Sequence, residues 1–201
     1  MFGRDDVEVV GKETLFQGYF RIDRYRLRHK LFGGGFGHEI RREVFERGHA
    51  AAVLPYDPVR DQVVLIEQFR IGPFAKGVSP WLIETIAGII DEGETAEEVA
   101  YREAVEEAGC KLIPPLRPIF GFFPTPGACS EHIDLFLGRC DSTGLGGVHG
   151  LPDEGEDIRV LVLPFVQAME ILDQGHIANV AAIVALQWLA RHRDEVRAHW
   201  R

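Results

Sequence analysis

Acids and glycines at fixed offsets fill the run from Gly88 to Cys110, GIIDEGETAEEVAYREAVEEAGC, and no other stretch restricts this chain so tightly. Thr95 followed by Glu98 reads as a capping box, in which a hydroxyl and a carboxylate satisfy orphan amide groups at a helix start. Gly109 is placed to end that helix, because glycine accepts the left-handed conformation beyond the last turn. At about 100° per residue, Glu103, Glu106 and Glu107 fall within roughly 100° of one another. Tyr101, Ala104, Val105 and Ala108 take the other side and suit packing against a sheet. Ala96, Val99 and Ala100 lie along the acidic meridian and leave it sterically open. Such a stripe repels itself by a few tenths of a kcal/mol per like-charged pair, a cost that a bound cation removes.

The turn before the helix, from Ala87 to Glu94, carries two glycines, so the backbone can fold tightly or approach a ligand there. No His or Cys lies between Gly88 and Gly109, and hard oxygen donors suit Mg²⁺ or Mn²⁺ rather than Zn²⁺. Arbitrary glutamates would form a solvated helix face. Seven fixed identities at fixed offsets, however, arise by chance about once in a million chains of this size.

Composition bounds the partners. With 46% hydrophobic and 26% charged residues, the 201-residue chain can fill a core as one domain with a small extension. A net charge of −9 argues against general nucleic-acid affinity, which needs a basic surface. Cys110, Cys129 and Cys140 are odd in number and lack metal-ligand spacing, which favours a reducing compartment, and cytoplasmic is the expectation. The acidic start MFGRDDVEVV lacks the regions of a signal peptide. The apolar stretch from Ile177 to Ala190 is too short to span a bilayer. It reads as a helix with Ile177, Val180, Ala181, Val184 and Trp188 toward the core.

Strand signals dominate the first fifty residues: Thr14 to Phe16, Phe20 to His29 and Glu39 to Glu46, with a turn at Gly33-Gly34-Gly35. This predicts a small antiparallel sheet domain over 1–48 and a second domain over 49–201. There, Ala50 to Pro55 and Gln62 to Ile71 form a hairpin around Asp57-Pro58, and Trp81 to Ile86 leads into the acidic run. Leu116 to Phe123, His132 to Gly138 and Ile158 to Pro164 are strand candidates, followed by helices over Phe165 to Leu172 and Asn179 to Trp200. The pattern implies an α+β fold with an αβα layered core. The glycine-rich loop from Asp141 to Asp157 is long enough to be a functional lid.

Gly88, Glu94, Arg102, Glu103, Glu106, Glu107 and Gly109 together resemble the signature of the Nudix hydrolases, which cleave diphosphates linked to nucleosides. Pro126, 16 residues after Cys110, resembles a mark of the ADP-ribose pyrophosphatases, as does the surrounding TPGACSE. RREVFERGHAA from Arg41, VLIEQFRIG from Val64, the loop from Gly150 to Val160 and the IVALQWL helix from Ile183 are similar too.

The resemblance implies a Nudix αβα sandwich and metal-dependent hydrolysis of ADP-ribose to AMP and ribose 5-phosphate, with Mg²⁺ or Mn²⁺. It implies metal ligation by Glu103, Glu107 and Glu156 and by the Ala87 carbonyl, with Glu106 close by as a catalytic carboxylate. Glu154 would orient or deprotonate the attacking water, and Arg102 would pair with Glu94. Phe20, Arg42, Arg70 and Glu131 are the implied substrate contacts, and a homodimer with exchanged N-terminal sheets is the implied assembly. The alternatives are a hydrolase of another nucleoside diphosphate sugar, such as GDP-mannose, and a non-catalytic nucleotide-sugar-binding regulator. Arg24, Arg26 and Arg28 share one strand face and read as a solvated or interface stripe. His38-Glu39 lacks the second histidine of a zinc protease, and Gly33 to Gly37 lacks the lysine of a Walker loop.

Overall fold

The computed structural model describes residues 1–200, the side chain of Glu154 excepted, and its contacts divide the chain into two units. The first comprises Met1–His49 together with Phe123–His132. Strands β1 (Val7–Gln17), β2 (Arg21–His29) and β3 (Ile40–Glu46) form its antiparallel sheet, in that order. β1 begins well before Thr14 because it pairs with the whole length of β2, from Val7 opposite His29 to Gln17 opposite Arg21. The basic stripe on β2 is matched by acids on or just beside the flanking strands. Arg24 meets Glu13 at 3.3 Å and Glu43 at 2.9 Å, Arg26 meets Glu39 at 3.4 Å, and Arg28 meets Glu8 at 2.9 Å. Exposed pairs of this kind stabilise by at most about 1 kcal/mol each, so the ladder serves strand register more than stability.

Phe123–His132 departs from a continuous boundary at residue 48. Phe45 N–H donates to the Ala128 carbonyl at 2.7 Å, and Ser130 N–H donates to the Phe45 carbonyl at 3.2 Å. Backbone pairing with β3 thus groups this segment with residues distant in sequence, which no local pattern reports.

The second unit is built on an eight-stranded sheet. Its path runs β10 (Gly147–His149), β11 (Ile158–Pro164), β5 (Gln62–Phe69), β4 (Ala50–Asp57), β9 (Ile133–Arg139) and β8 (Ile113–Phe122). Strand β6 (Trp81–Glu84) pairs with β5, and β7 (Ile86–Ile89) pairs with β4. β4 runs parallel to β9 and is buried along its entire length. Its alternation sorts two cores: Ala52, Leu54 and Tyr56 pack with helices α3 (Phe165–Asp173) and α4 (Val180–Trp200). Ala51 and Val53 pack with α2 (Ala96–Ala108) on the opposite face. The fold is therefore α+β, with the αβα layering of a sandwich.

Three details differ from the sequence expectation. The chain turns at Arg70 into a short helix α1 (Ile71–Lys76) instead of continuing as strand, with Pro73 in the first turn, where its missing N–H costs nothing. Val180 is exposed, and α4 instead buries Ala181, Ala182, Ala185, Leu186, Leu189 and Val196. On α2, Val105 is exposed while Val99 and Ala100 are buried, so the helix is rotated from its expected phase.

A polar clamp fastens α4 to the β4–β5 turn. Tyr56 Oη donates to Asp61 Oδ1 at 2.6 Å, Arg193 Nε donates to the same oxygen at 2.8 Å, and Arg193 stacks on Phe165 at 4.8 Å. Among the described residues no helix is long and apolar enough to cross a membrane.

Candidate active site

Helix α2 starts and stops where its end residues direct. Glu98 N–H donates to Thr95 Oγ1 at 3.3 Å, Thr95 N–H donates to Glu98 Oε2 at 2.8 Å, and Gly109 closes the helix at φ 58°. The rotation of the helix carries Glu107 onto the buried arc with Ala100 and Ala104, leaving it 3% exposed. There its carboxylate accepts the Ala87 N–H at 3.1 Å. Both backbone polar groups of a strand residue face the same edge, so the Ala87 carbonyl turns from β4 toward α2 as well. A Cβ on Gly88 would lie 1.9 Å from Glu103 Oε1; glycine lets β7 pass directly beneath that side chain.

Arg102 organises the remaining acids. Its Nε and Nη2 donate to the two oxygens of Glu94 at 3.2 and 3.1 Å, pinning the loop to the helix. Its Nη1 donates to Glu103 at 2.7 Å and to Glu106 at 3.2 Å.

The loop after β9 is anchored at several points. Gly150 N–H donates to the Glu106 carbonyl at 3.3 Å, and the Glu156 carboxylate accepts Leu151 N–H at 3.0 Å. Gly150, at φ 101°, could not carry a Cβ without meeting Glu156 Cβ at 2.7 Å. Glu154 ends a short turn of helix at Pro152–Glu154, and the geometry of its side chain lies outside the described residues.

Electrostatics unites these groups. Burial pushes Glu107 up to about 8, against the Ala87 hydrogen bond, and the charges of Glu103 and Glu156 push the same way. Burial also raises Glu103, opposed by Arg102 and reinforced by Glu106 and Glu156. Among the described residues, neither Glu107 nor Glu156 has an ion pair within 4 Å. No three acidic, His or Cys side chains among the described residues converge as a ready cation cage: Arg102 holds Glu94, Glu103 and Glu106, Ala87 N–H holds Glu107, and Leu151 N–H holds Glu156. A cluster of carboxylate oxygen donors nonetheless fits a hard divalent cation.

Arg70 stands beside this cluster, and Glu107 and Glu156 are among the charges that it senses. It pairs with the buried Glu84 at 2.8 Å.

The family model of the NUDIX domain matches residues 46–185. The chain belongs to the Nudix family.

Its similarity extends beyond the Nudix domain. An ADP-ribose pyrophosphatase of Escherichia coli (strain K12) is 50% identical over 199 residues, covering 99% of this chain and 95% of that protein. The Haemophilus influenzae ADP-ribose pyrophosphatase is 40% identical over 203 residues, covering 100% and 93%. A GDP-mannose pyrophosphatase of Pectobacterium atrosepticum is 33% identical over 182 residues, covering 90% and 92%. A crystal structure of an ADP compounds hydrolase superposes with a TM-score of 0.70 at 20% identity, covering 99% of this chain and 98% of that one, and supports the fold.

Of the residues that the sequence singled out, the Nudix unit gathers Arg70, Ala87, Glu103, Glu106, Glu107 and Glu156. Phe20, Arg42 and Glu131 belong to the first unit. There Phe20 packs edge-on against Phe45 at 5.0 Å, and the Arg47 guanidinium lies 5.7 Å above its ring. Arg47 also holds the buried Glu131 at 2.9 Å. Arg42 is exposed and donates to the Arg41 carbonyl at 2.8 Å. Sequence reasoning passed over Arg47, Glu84 and Asn179. The signal for Glu84 was an acid interrupting the apolar run WLIETIAGII.

Proposed function

We propose that the protein hydrolyses the diphosphate of ADP-ribose, with a divalent metal ion, to AMP and ribose 5-phosphate. The observation that carries this reading is the buried Glu107, which among the described residues has no ion pair within 4 Å and is influenced by Glu103, Glu156 and Arg70, in a chain half identical to an ADP-ribose pyrophosphatase. Glu103, Glu107, Glu156 and the Ala87 carbonyl would hold Mg²⁺, with Mn²⁺ as a substitute. Bound there, the metal supplies charge neutralisation for a diphosphate that gains further negative charge during displacement.

The chain's own residues do the rest. Arg70 binds phosphate oxygens with the donors that Glu84 leaves free. Glu106, held by Arg102 beside Glu103, keeps the acidic face charged. Glu154 takes the proton from the attacking water as the phosphorus–oxygen bond to the leaving phosphate breaks, general-base assistance worth about 10²–10⁴-fold. Phe20 stacks on the adenine, while Arg42 and Glu131 make polar contacts to the nucleotide. Because Phe20, Arg42 and Glu131 sit in a unit with its own sheet, we read the assembly as a homodimer with exchanged first units. Three free cysteines support a cytoplasmic location.

The test is a panel of ADP-ribose, GDP-mannose, NADH and diadenosine polyphosphates, each with Mg²⁺, with Mn²⁺ and with EDTA. ADP-ribose should give the highest kcat/KM, with AMP and ribose 5-phosphate as products and no turnover in EDTA. A preference for GDP-mannose would keep the chemistry and reassign the substrate; binding without turnover would make the protein a regulator.

A further inference from the structure

We infer that Glu84 is a positioning residue for catalysis: with Asn179, it sets the direction in which Arg70 presents its free donors to the substrate diphosphate. The inference rests on the reading of Arg70 as a phosphate-binding residue.

Glu84 ends β6 and is 3% exposed, an unusual place for a carboxylate unless both oxygens are satisfied. They are. Oε2 accepts from Arg70 Nε at 3.0 Å and pairs with Arg70 Nη2 at 2.8 Å, with Gln68 Nε2 at the 3.5 Å margin. Oε1 accepts from Asn179 Nδ2 at 3.2 Å. Asn179 is fixed in turn, since its Oδ1 accepts Ala182 N–H at 3.0 Å in the first turn of α4.

The consequence for Arg70 is directional. A guanidinium is planar and carries five N–H groups, and Glu84 engages the Nε–Nη2 edge. Nη1 has no protein hydrogen-bond partner among the described residues, and the side chain remains 44% exposed. Fixing one edge on a buried carboxylate restricts where the opposite edge can be presented, and Glu107 and Glu156 are among the charges that act on this guanidinium. An arginine whose fork is held before substrate arrives loses less rotamer entropy on binding phosphate.

Steady-state kinetics on ADP-ribose with Mg²⁺ tests the arrangement, with thermal unfolding measured alongside. Arg70→Ala should raise KM by about tenfold or more, and this variant alone decides whether Arg70 contacts substrate. Glu84→Ala should raise KM by a similar factor with kcat within about threefold, and the double variant should be no worse than Arg70→Ala. Glu84→Gln, which keeps an acceptor for Arg70, should recover part of the loss. Asn179→Asp retains the oxygen that caps α4 but sets a second carboxylate against Glu84; it should raise KM while the protein stays folded. Should Glu84→Ala fail to fold, the Gln and Asp variants carry the test. A wild-type KM in the Glu84 and Asn179 variants, or losses that multiply in the double variant, overturns the inference. An unchanged KM in Arg70→Ala removes the reading beneath it, and the inference with it.

Discussion

Glu107 carries a proton in the metal-free protein up to about pH 8, because burial and two neighbouring carboxylates oppose its charge. An unfolded glutamate titrates near 4.5, so this group's contribution to stability is full below that value and is lost as pH rises to about 8. Metal must displace the same proton. Stabilisation by saturating Mg²⁺ should therefore grow between pH 6 and pH 8 by up to about 1.4 kcal/mol per unit, read as a widening gap in Tm with and without metal. Glu107→Gln should flatten that slope; a slope unchanged in the variant would place the metal elsewhere. The base calls for a different readout. Glu154→Gln should lower kcat by about 10²-fold or more while KM stays within about threefold, measured on ADP-ribose at saturating Mg²⁺. Near-normal turnover would pass the role to Glu156.

Helix α2 works only with the strand beneath it. Gly88 is there for room, not for an unusual backbone angle, since an added Cβ would fall 1.9 Å from Glu103 Oε1. Gly88→Ala should push Glu103 aside and weaken Mg²⁺ activation about 10–100-fold, seen as a shifted metal titration of activity, while circular dichroism keeps its native form. The ends of α2 were legible in the sequence because capping is local: Thr95, Glu98 and Gly109 act within a few residues of themselves. Its phase was not. Spacing groups Glu103, Glu106 and Glu107 but leaves open which side of the group meets the sheet, and β4 and β7 chose the side that buries Val99, Ala100 and Glu107.

At the scale of the molecule, the proposed homodimer is tested by its mass and by mixing subunits. Exposed apolar side chains on β1 and after it, among them Val9, Phe16 and Tyr19, suit a self-complementary surface. Light scattering should give about twice the chain mass of 22.6 kDa. If the first units are exchanged, mixing Arg42→Ala with Glu107→Gln subunits restores one intact site per heterodimer, about a quarter of wild-type activity. If they are not, mixing restores nothing.

The sequence by itself determined the family, the ends of the acidic helix and the strand at Ile158–Pro164, because each is written in contiguous residues or fixed offsets. Only the tertiary structure decided that Phe123–His132 leaves its sequence neighbours to pair with β3, that Arg70 is held by Glu84 and Glu84 in turn by Asn179, and that Glu107 is buried with no ion pair within 4 Å among the described residues. Those are outcomes of long-range pairing, in which the energy of a contact depends on which side chains the sheet brings together and how little water remains between them.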